Sequence, residues 1–192
     1  GVSEYLSPTY YGVDLDCLGF IARHIRDAAV KKKAEAALRL LWTDIAANWC
    51  EPGLRLGGAH SRDYDYLTGH GVLDRHLQMA GWLPEAPPYR AFEALARWEA
   101  PADLRAAFEK RIPRVVCQRW GAKPWEVATH YRGRTVDLGF GGACKGSEDK
   151  VFTFQFAGGP KQVVGNFVMD GRLDPYGVNK TVTGGGHMKS HH

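Results

Sequence analysis

No stretch of this chain is apolar for long enough to cross a bilayer, and its first residues lack the charged-then-apolar order of a secretory leader. Because the chain opens at Gly1 rather than Met, the missing leader does not bear on localisation. A strong excess of one charge is missing too. The 25 basic and 21 acidic residues leave a net charge of +4, which suits an acidic ligand but is too even for a nucleic-acid-binding surface. Cysteine is sparse: Cys17, Cys50, Cys117 and Cys144 include no C-x-x-C pair, so zinc-ribbon and thioredoxin-like readings fail. Disulfides stay open, with small buried thiols as the ordinary expectation. Neither the zinc-protease H-E-x-x-H nor the G-x-S-x-G elbow of serine hydrolases occurs. Gly139, Gly141 and Gly142 have no helix after them, so phosphate binding at a helix N-terminus is unsupported.

What is present describes a globular chain. With 192 residues, 44% hydrophobic and 24% charged, it can hold one ordinary domain or two small ones. Residues 1–12 form a polar and aromatic lead-in, with Pro8 expected to break any helix. From about Val13, Leu15, Leu18, Ile21, Ala22 and Ile25 recur at helical spacing. A second helix is expected from about Lys31 to Asn48, with Ala34, Ala37, Leu38, Leu41 and Ile45 on one face. The short link at Asp27–Val30 predicts an antiparallel pair, and Glu51-Pro52-Gly53 is a stop signal. Further helices are expected over Tyr64–Met79, Tyr89–Glu99 and Ala102–Lys110, with Pro84, Pro87 and Pro88 as a rigid linker.

After Arg111 the periodicity changes. Ile112–Trp120, Trp125–Tyr131, Thr135–Phe140, Lys150–Phe156 and Gln162–Met169 read as strands separated by Gly, Pro and Asp clusters. Alternation puts Phe152, Phe154 and Phe156 on one face of their strand. The expected fold class is therefore α+β, with a helical domain over 1–111 and an antiparallel β domain, a sandwich or meander, over 112–192.

Chemistry concentrates in residues 53–71. Two histidines, two arginines, two aspartates and two tyrosines sit there among five glycines. Glycine lets a backbone approach a ligand closely, His and Tyr move protons, and Arg clamps a carboxylate. His60 and Arg62 form the best pair, with Tyr64 and Tyr66 as a proton donor or sugar-stacking platform and His70 lining the same groove. The plain alternative is a polar loop entering a helix, capped by Ser61 or Asp63. His76 is six residues from His70, off its helical face, and is expected to meet solvent or a neighbouring helix. Tyr10 and Tyr11, beside Pro8, are candidates for substrate contact or for ordinary core packing. His130 and Tyr131 are second-tier candidates on a predicted strand near the domain junction, while Trp125 is expected in the core. The ending, with His187, His191 and His192, reads as a metal-binding pattern or as the cut end of a longer chain, and no metal is assigned to it. Asp170–Gly177 reads as surface turns, with the wrong spacing for an EF-hand.

The order of these parts resembles a known family. Helical hairpins carrying Glu4-Tyr5-Leu6-Ser7-Pro8-Thr9-Tyr10-Tyr11, a Gly-rich Arg-Asp-Tyr loop, and a β part opening Trp125-Glu126-Val127-Ala128-Thr129-His130-Tyr131 resemble the junction of (α/α) toroid and antiparallel β-sandwich in heparinase II/III-like and alginate-lyase-like polysaccharide lyases. Those toroids hold more helices than this chain and their sandwiches run on further, so the resemblance implies a fragment. It also implies β-elimination on an acidic, uronate-containing glycan with no cofactor, and secretion or a periplasmic home. Arg62 would neutralise the uronate, His60 or a tyrosine would take the proton, and Tyr10, Tyr11 or Tyr64 would protonate the leaving oxygen. Tyr66, His70, His130 and Tyr131 would contact substrate. Two other functions stay open: a glycoside hydrolase using a carboxylate pair such as Glu4 with Asp63 or Asp65, and a non-catalytic glycan-binding or structural module.

Overall fold

The computed structural model describes residues 6–50, 55–56, 58–59, 72–83, 88, 90–110, 113–124, 126–141, 152–156, 163–167 and 182–183. Two long helices open the described chain, α1 (Pro8–His24) and α2 (Ala28–Asn48). A two-stranded ribbon of β1 (Trp49–Cys50) and β2 (Arg55–Leu56) follows, then shorter helices α3 (Val72–Met79), α4 (Ala91–Ala96) and α5 (Ala102–Lys110). Strands β3 (Arg114–Arg119), β4 (Val127–Arg132), β5 (Val136–Gly141), β6 (Phe152–Phe156), β7 (Val163–Phe167) and β8 (Val182–Thr183) pair in sequence order, antiparallel throughout, as one six-stranded meander. The class is α+β, helices first and antiparallel sheet after. The ribbon and β8 are elements that the hydrophobic pattern did not announce.

The chain divides into two compact units. A helical unit takes Pro8–Ala47 and His70–Lys110, and a sheet unit takes Gly1–Ser7, Asn48–Gly69 and Arg111–His192. Both units are built from more than one stretch of the chain.

In the helical unit, α1 starts at Pro8 itself, which corrects the expectation that Pro8 breaks the helix. At the first helical position the missing N–H is one that no intrahelical partner would satisfy, and the fixed φ already suits a helix. The buried face of α1 runs through Pro8, Tyr11, Gly12, Leu15, Gly19 and Ala22, a three-four-seven spacing. Ile25, expected on that face, is exposed because α1 ends one residue earlier. Gly12 and Gly19 lie two turns apart and let other helices come close. A Cβ on Gly12 would meet Val72 Cβ at 2.6 Å, and one on Gly19 would run into the Ala96 carbonyl. α2 buries Ala34, Leu38, Leu41, Trp42, Ile45 and Ala46, and Trp42 meets Trp82 edge-on at 5.0 Å. Asp27 caps α2, its Oδ1 accepting from Ala29 N at 2.8 Å and Val30 N at 3.0 Å. The three-residue link and the Tyr11–Asp44 hydrogen bond, joining the start of α1 to the end of α2, show an antiparallel pair. His76 faces a neighbouring helix, its Nε2 2.9 Å from Asp16 Oδ1 of α1. Cys17 and Cys117 are exposed free thiols, contrary to the expectation of burial. Each falls on the outward side of its helix or strand. No described helix is long and apolar enough to cross a membrane.

In the sheet unit the inward face is polar. On β4 and β5 the buried positions are Ala128, His130, Arg132, Asp137 and Gly139, and on β6 Thr153. The opposite face carries Val115, Tyr131, Leu138, Phe140 and Phe154, of which Val115 and Phe140 are exposed. A sheet that buries its polar row instead of its aromatic one must satisfy those polar groups internally.

Candidate functional site

His130 sits at the centre of that polar row. Register aligns it with Val116 on β3, Gly139 on β5 and, one strand further, Thr153 on β6. Arg132, two residues on, shares its face by strand periodicity and pairs across to Asp137. His130, Arg132 and Asp137 are all buried to within 3% exposure, so none of the three meets solvent.

Asn48, the last residue of α2, ties the row together. Its Oδ1 lies 3.2 Å from Arg132 Nη2 and 2.5 Å from His130 Nδ1, and its Nδ2 lies 2.8 Å from Gln118 Oε1. The chemistry of the partners fixes the proton positions. A guanidinium only donates, so the Asn48 atom facing it is the oxygen, and the amide nitrogen is left to donate to Gln118. An amide oxygen only accepts, so His130 must carry a proton on Nδ1. In the neutral ring the lone pair then belongs to Nε2. Trp120 flanks the imidazole, ring centroids 5.4 Å apart and planes 60° apart. Arg132 Nη1 stands 3.8 Å from Asp137 Oδ1, which also accepts the Gly133 N–H at 3.1 Å. The buried guanidinium thus faces a buried carboxylate, the arrangement a desolvated charge needs.

Two described residues of the Gly-rich stretch, Gly58 and Ala59, lie against this face of the sheet. Gly58 adopts φ +105°, a conformation open to glycine, and a Cβ there would stand 2.5 Å from Arg132 Nη2 and 2.8 Å from His130 Nδ1. A Cβ on Gly139 would strike the Ala59 backbone and come within 2.6 Å of Thr153 Oγ1. Two glycines therefore allow the close approach: Gly58 lies against His130 and Arg132, and the Ala59 backbone lies against Gly139 of the sheet.

No family model, curated protein or solved structure matches this chain.

The candidates named from sequence fall in three places. His60, Arg62, Tyr64, Tyr66 and His70 lie outside the described residues. Tyr10 and Tyr11 are on α1 in the helical unit: Tyr10 is half-buried, while Tyr11 is wholly buried and donates to Asp44 Oδ2 at 3.1 Å, the geometry of a core tyrosine. His130 and Tyr131 are on β4, but successive residues point to opposite faces, so only His130 joins the buried network. Among the described residues no cluster of three His, Cys, Asp or Glu is placed to hold a metal ion.

Sequence reasoning missed Asn48, Gln118, Arg132 and Asp137. Arg132 had a usable signal, since once His130 is placed on a strand the residue two further along shares its face. Asn48 had none, because the bond that matters reaches across 82 positions.

Proposed function

We propose that this chain is a carbohydrate-active protein of the polysaccharide-lyase kind, cleaving an acidic, uronate-containing glycan by β-elimination. The scaffold in this reading is a piece of an (α/α) toroid joined to an antiparallel β-sandwich. The observation that carries it is the seating of Gly58 on His130 and Arg132, with the Ala59 backbone against Gly139. It anchors the start of the segment that continues in sequence to His60, Arg62 and Tyr64, the residue types this elimination requires.

The roles follow from the chemistry. Arg62 neutralises the uronate carboxylate and so acidifies the carbon-bound proton beside it. His60 takes that proton, its ordinary pKa lying near neutrality. The electron pair forms a carbon–carbon double bond as the glycosidic oxygen leaves, and Tyr64 protonates that oxygen. His130, Arg132 and Asn48 hold the base of the segment in place. As buried groups, His130 and Arg132 act here as positioning residues.

A second reading is a non-catalytic glycan-binding module, and the complete burial of His130 favours it, since a cluster with no face to solvent serves equally well as a scaffold. Incubation with a panel of uronate-containing polysaccharides separates the two. Elimination creates a conjugated double bond that absorbs in the ultraviolet, so rising absorbance supports the lyase. Retention of a glycan without absorbance or new reducing ends supports the module. New reducing ends without absorbance mean hydrolysis and overturn both.

A further inference from the structure

The end of the α1–α2 hairpin combines two features that a purely structural turn does not need. Every residue from Arg23 to Lys33 is exposed. Ile25 and Val30 stand there at about two-fifths exposure, and Phe20 of α1 with Phe92 and Leu95 of α4 are exposed large apolar side chains as well. His24, next to Ile25 in the chain, joins the α1 and α4 side chains. Phe20 stacks on Phe92 with centroids 5.4 Å apart, and His24 packs on Phe20 at 4.6 Å while its Nε2 meets the Leu95 carbonyl at 3.2 Å. Arg23 Nη1 donates to the Arg97 carbonyl at 3.3 Å.

Around these apolar groups basic residues outnumber acidic ones. Arg23 at the end of α1, Arg26 on the link, and Lys31, Lys32 and Lys33 at the start of α2 are exposed, and Arg90 and Arg97 flank α4. The acidic residues nearby are occupied or few. Asp27 spends a carboxylate oxygen capping α2, Glu93 is buried against Arg75 at 3.0 Å, and Glu99 is exposed. The first turn of α2 holds no acidic residue, and three lysines follow it, although the positive end of a helix dipole favours the opposite charge.

We propose that this hairpin end is a docking surface for an anionic lipid bilayer, its lysines and arginines on the headgroups and Ile25, Val30, Phe92 and Leu95 entering the acyl boundary. Charge complementarity selects an anionic partner, and the aliphatic side chains select lipid over an acidic polysaccharide, since a hydrated glycan offers them nothing to bury against. Binding here is peripheral and is independent of the proposed lyase activity.

The test is flotation of the full chain with vesicles of phosphatidylcholine alone and of phosphatidylcholine mixed with equal parts phosphatidylserine. The protein should float with the mixed vesicles only, and less so at high salt. Each basic residue near such a surface contributes about a five-fold factor, so the triple variant Lys31→Gln, Lys32→Gln, Lys33→Gln should bind on the order of 100-fold more weakly. Ile25→Ser and Phe92→Ser should each lose roughly ten-fold. Ile25 lies in the link between helices, so its variant keeps the test sound if Phe92→Ser unfolds. Failure to float, or flotation unchanged in the lysine and Ile25 variants, overturns the proposal. So does a dimer in vesicle-free sedimentation that the same substitutions dissociate, or retention of a uronate polysaccharide by the turn in place of vesicles.

Discussion

Replacing Gly58 by alanine tests whether the Gly-rich segment rests on the buried histidine and arginine. Two costs arise together. At φ +105° an L side chain is strained, by about 1–2 kcal/mol on the left-handed scale. The new methyl would also stand 2.5 Å from Arg132 Nη2 and 2.8 Å from two atoms of the His130 ring. Neither neighbour gives way easily, because Asn48 holds both and Trp120 backs the ring. Overpacking of this kind typically costs about 1–3 kcal/mol, so the total is roughly 2–5 kcal/mol. That is a large part of the 5–15 kcal/mol or so that keeps an ordinary domain folded. Gly81→Ala is the matched control, with φ +72° and nothing nearer its Cβ than Arg105 Nη1 at 3.4 Å, so it carries strain with little overpacking. Urea denaturation followed by tryptophan fluorescence reads both variants. Gly58→Ala should cost clearly more than Gly81→Ala, and its excess should shrink in an Arg132→Ala background, where the closest atom is gone. Equal costs in the two variants, or an excess indifferent to Arg132, would refute the seating of the segment on the network.

Asn48→Leu keeps a similar volume but removes the acceptor shared by His130 and Arg132 and the donor to Gln118. Leaving a buried guanidinium and imidazole short of an acceptor should cost about 3–5 kcal/mol, read as a lower urea midpoint at unchanged slope. A loss under about 1 kcal/mol would mean the network is not held through Asn48. The Arg39–Asp103 pair, at 2.8 Å on the surface, sets the other extreme. The Arg39 hydrogen bond holds the Asp103 carboxyl below its usual value. A depressed folded value means that the pair's stabilisation is complete above the ordinary carboxylate range and is lost as pH falls through the folded value. Wild type should therefore melt slightly above Asp103→Asn at neutral pH, the gap closing in acid and in salt. A gap that widens in acid would show the sign to be wrong.

Much of the backbone was legible. Helical spacing located α1 and α2 because each buries one stripe, and short β-rich runs between Gly and Pro clusters located β3 to β7 within a few residues. Pro8 misled because the same ring that ends a helix from within is welcome at its first position. Alternation separated the two faces of the sheet but did not say which faces inward, since that depends on what packs against it. The aromatic row around Phe154 invites burial, yet Thr153 and His130 are the buried neighbours. Of the candidate site, His130 is named from sequence together with Tyr131, as residues of a predicted strand near the domain junction. Its partner Asn48 joins it only through the tertiary fold, where an ordinary helix-ending asparagine becomes the acceptor for two buried cations or donors.

The proposed role of His60 as the base of elimination is read in the rate of double-bond formation by His60→Ala. On a uronate polysaccharide turned over by wild type, loss of a general base should slow the ultraviolet signal by about 10²–10⁴-fold. The urea midpoint should not move. Undiminished absorbance in His60→Ala, or no absorbance from the wild-type protein on any uronate polysaccharide, would contradict the account.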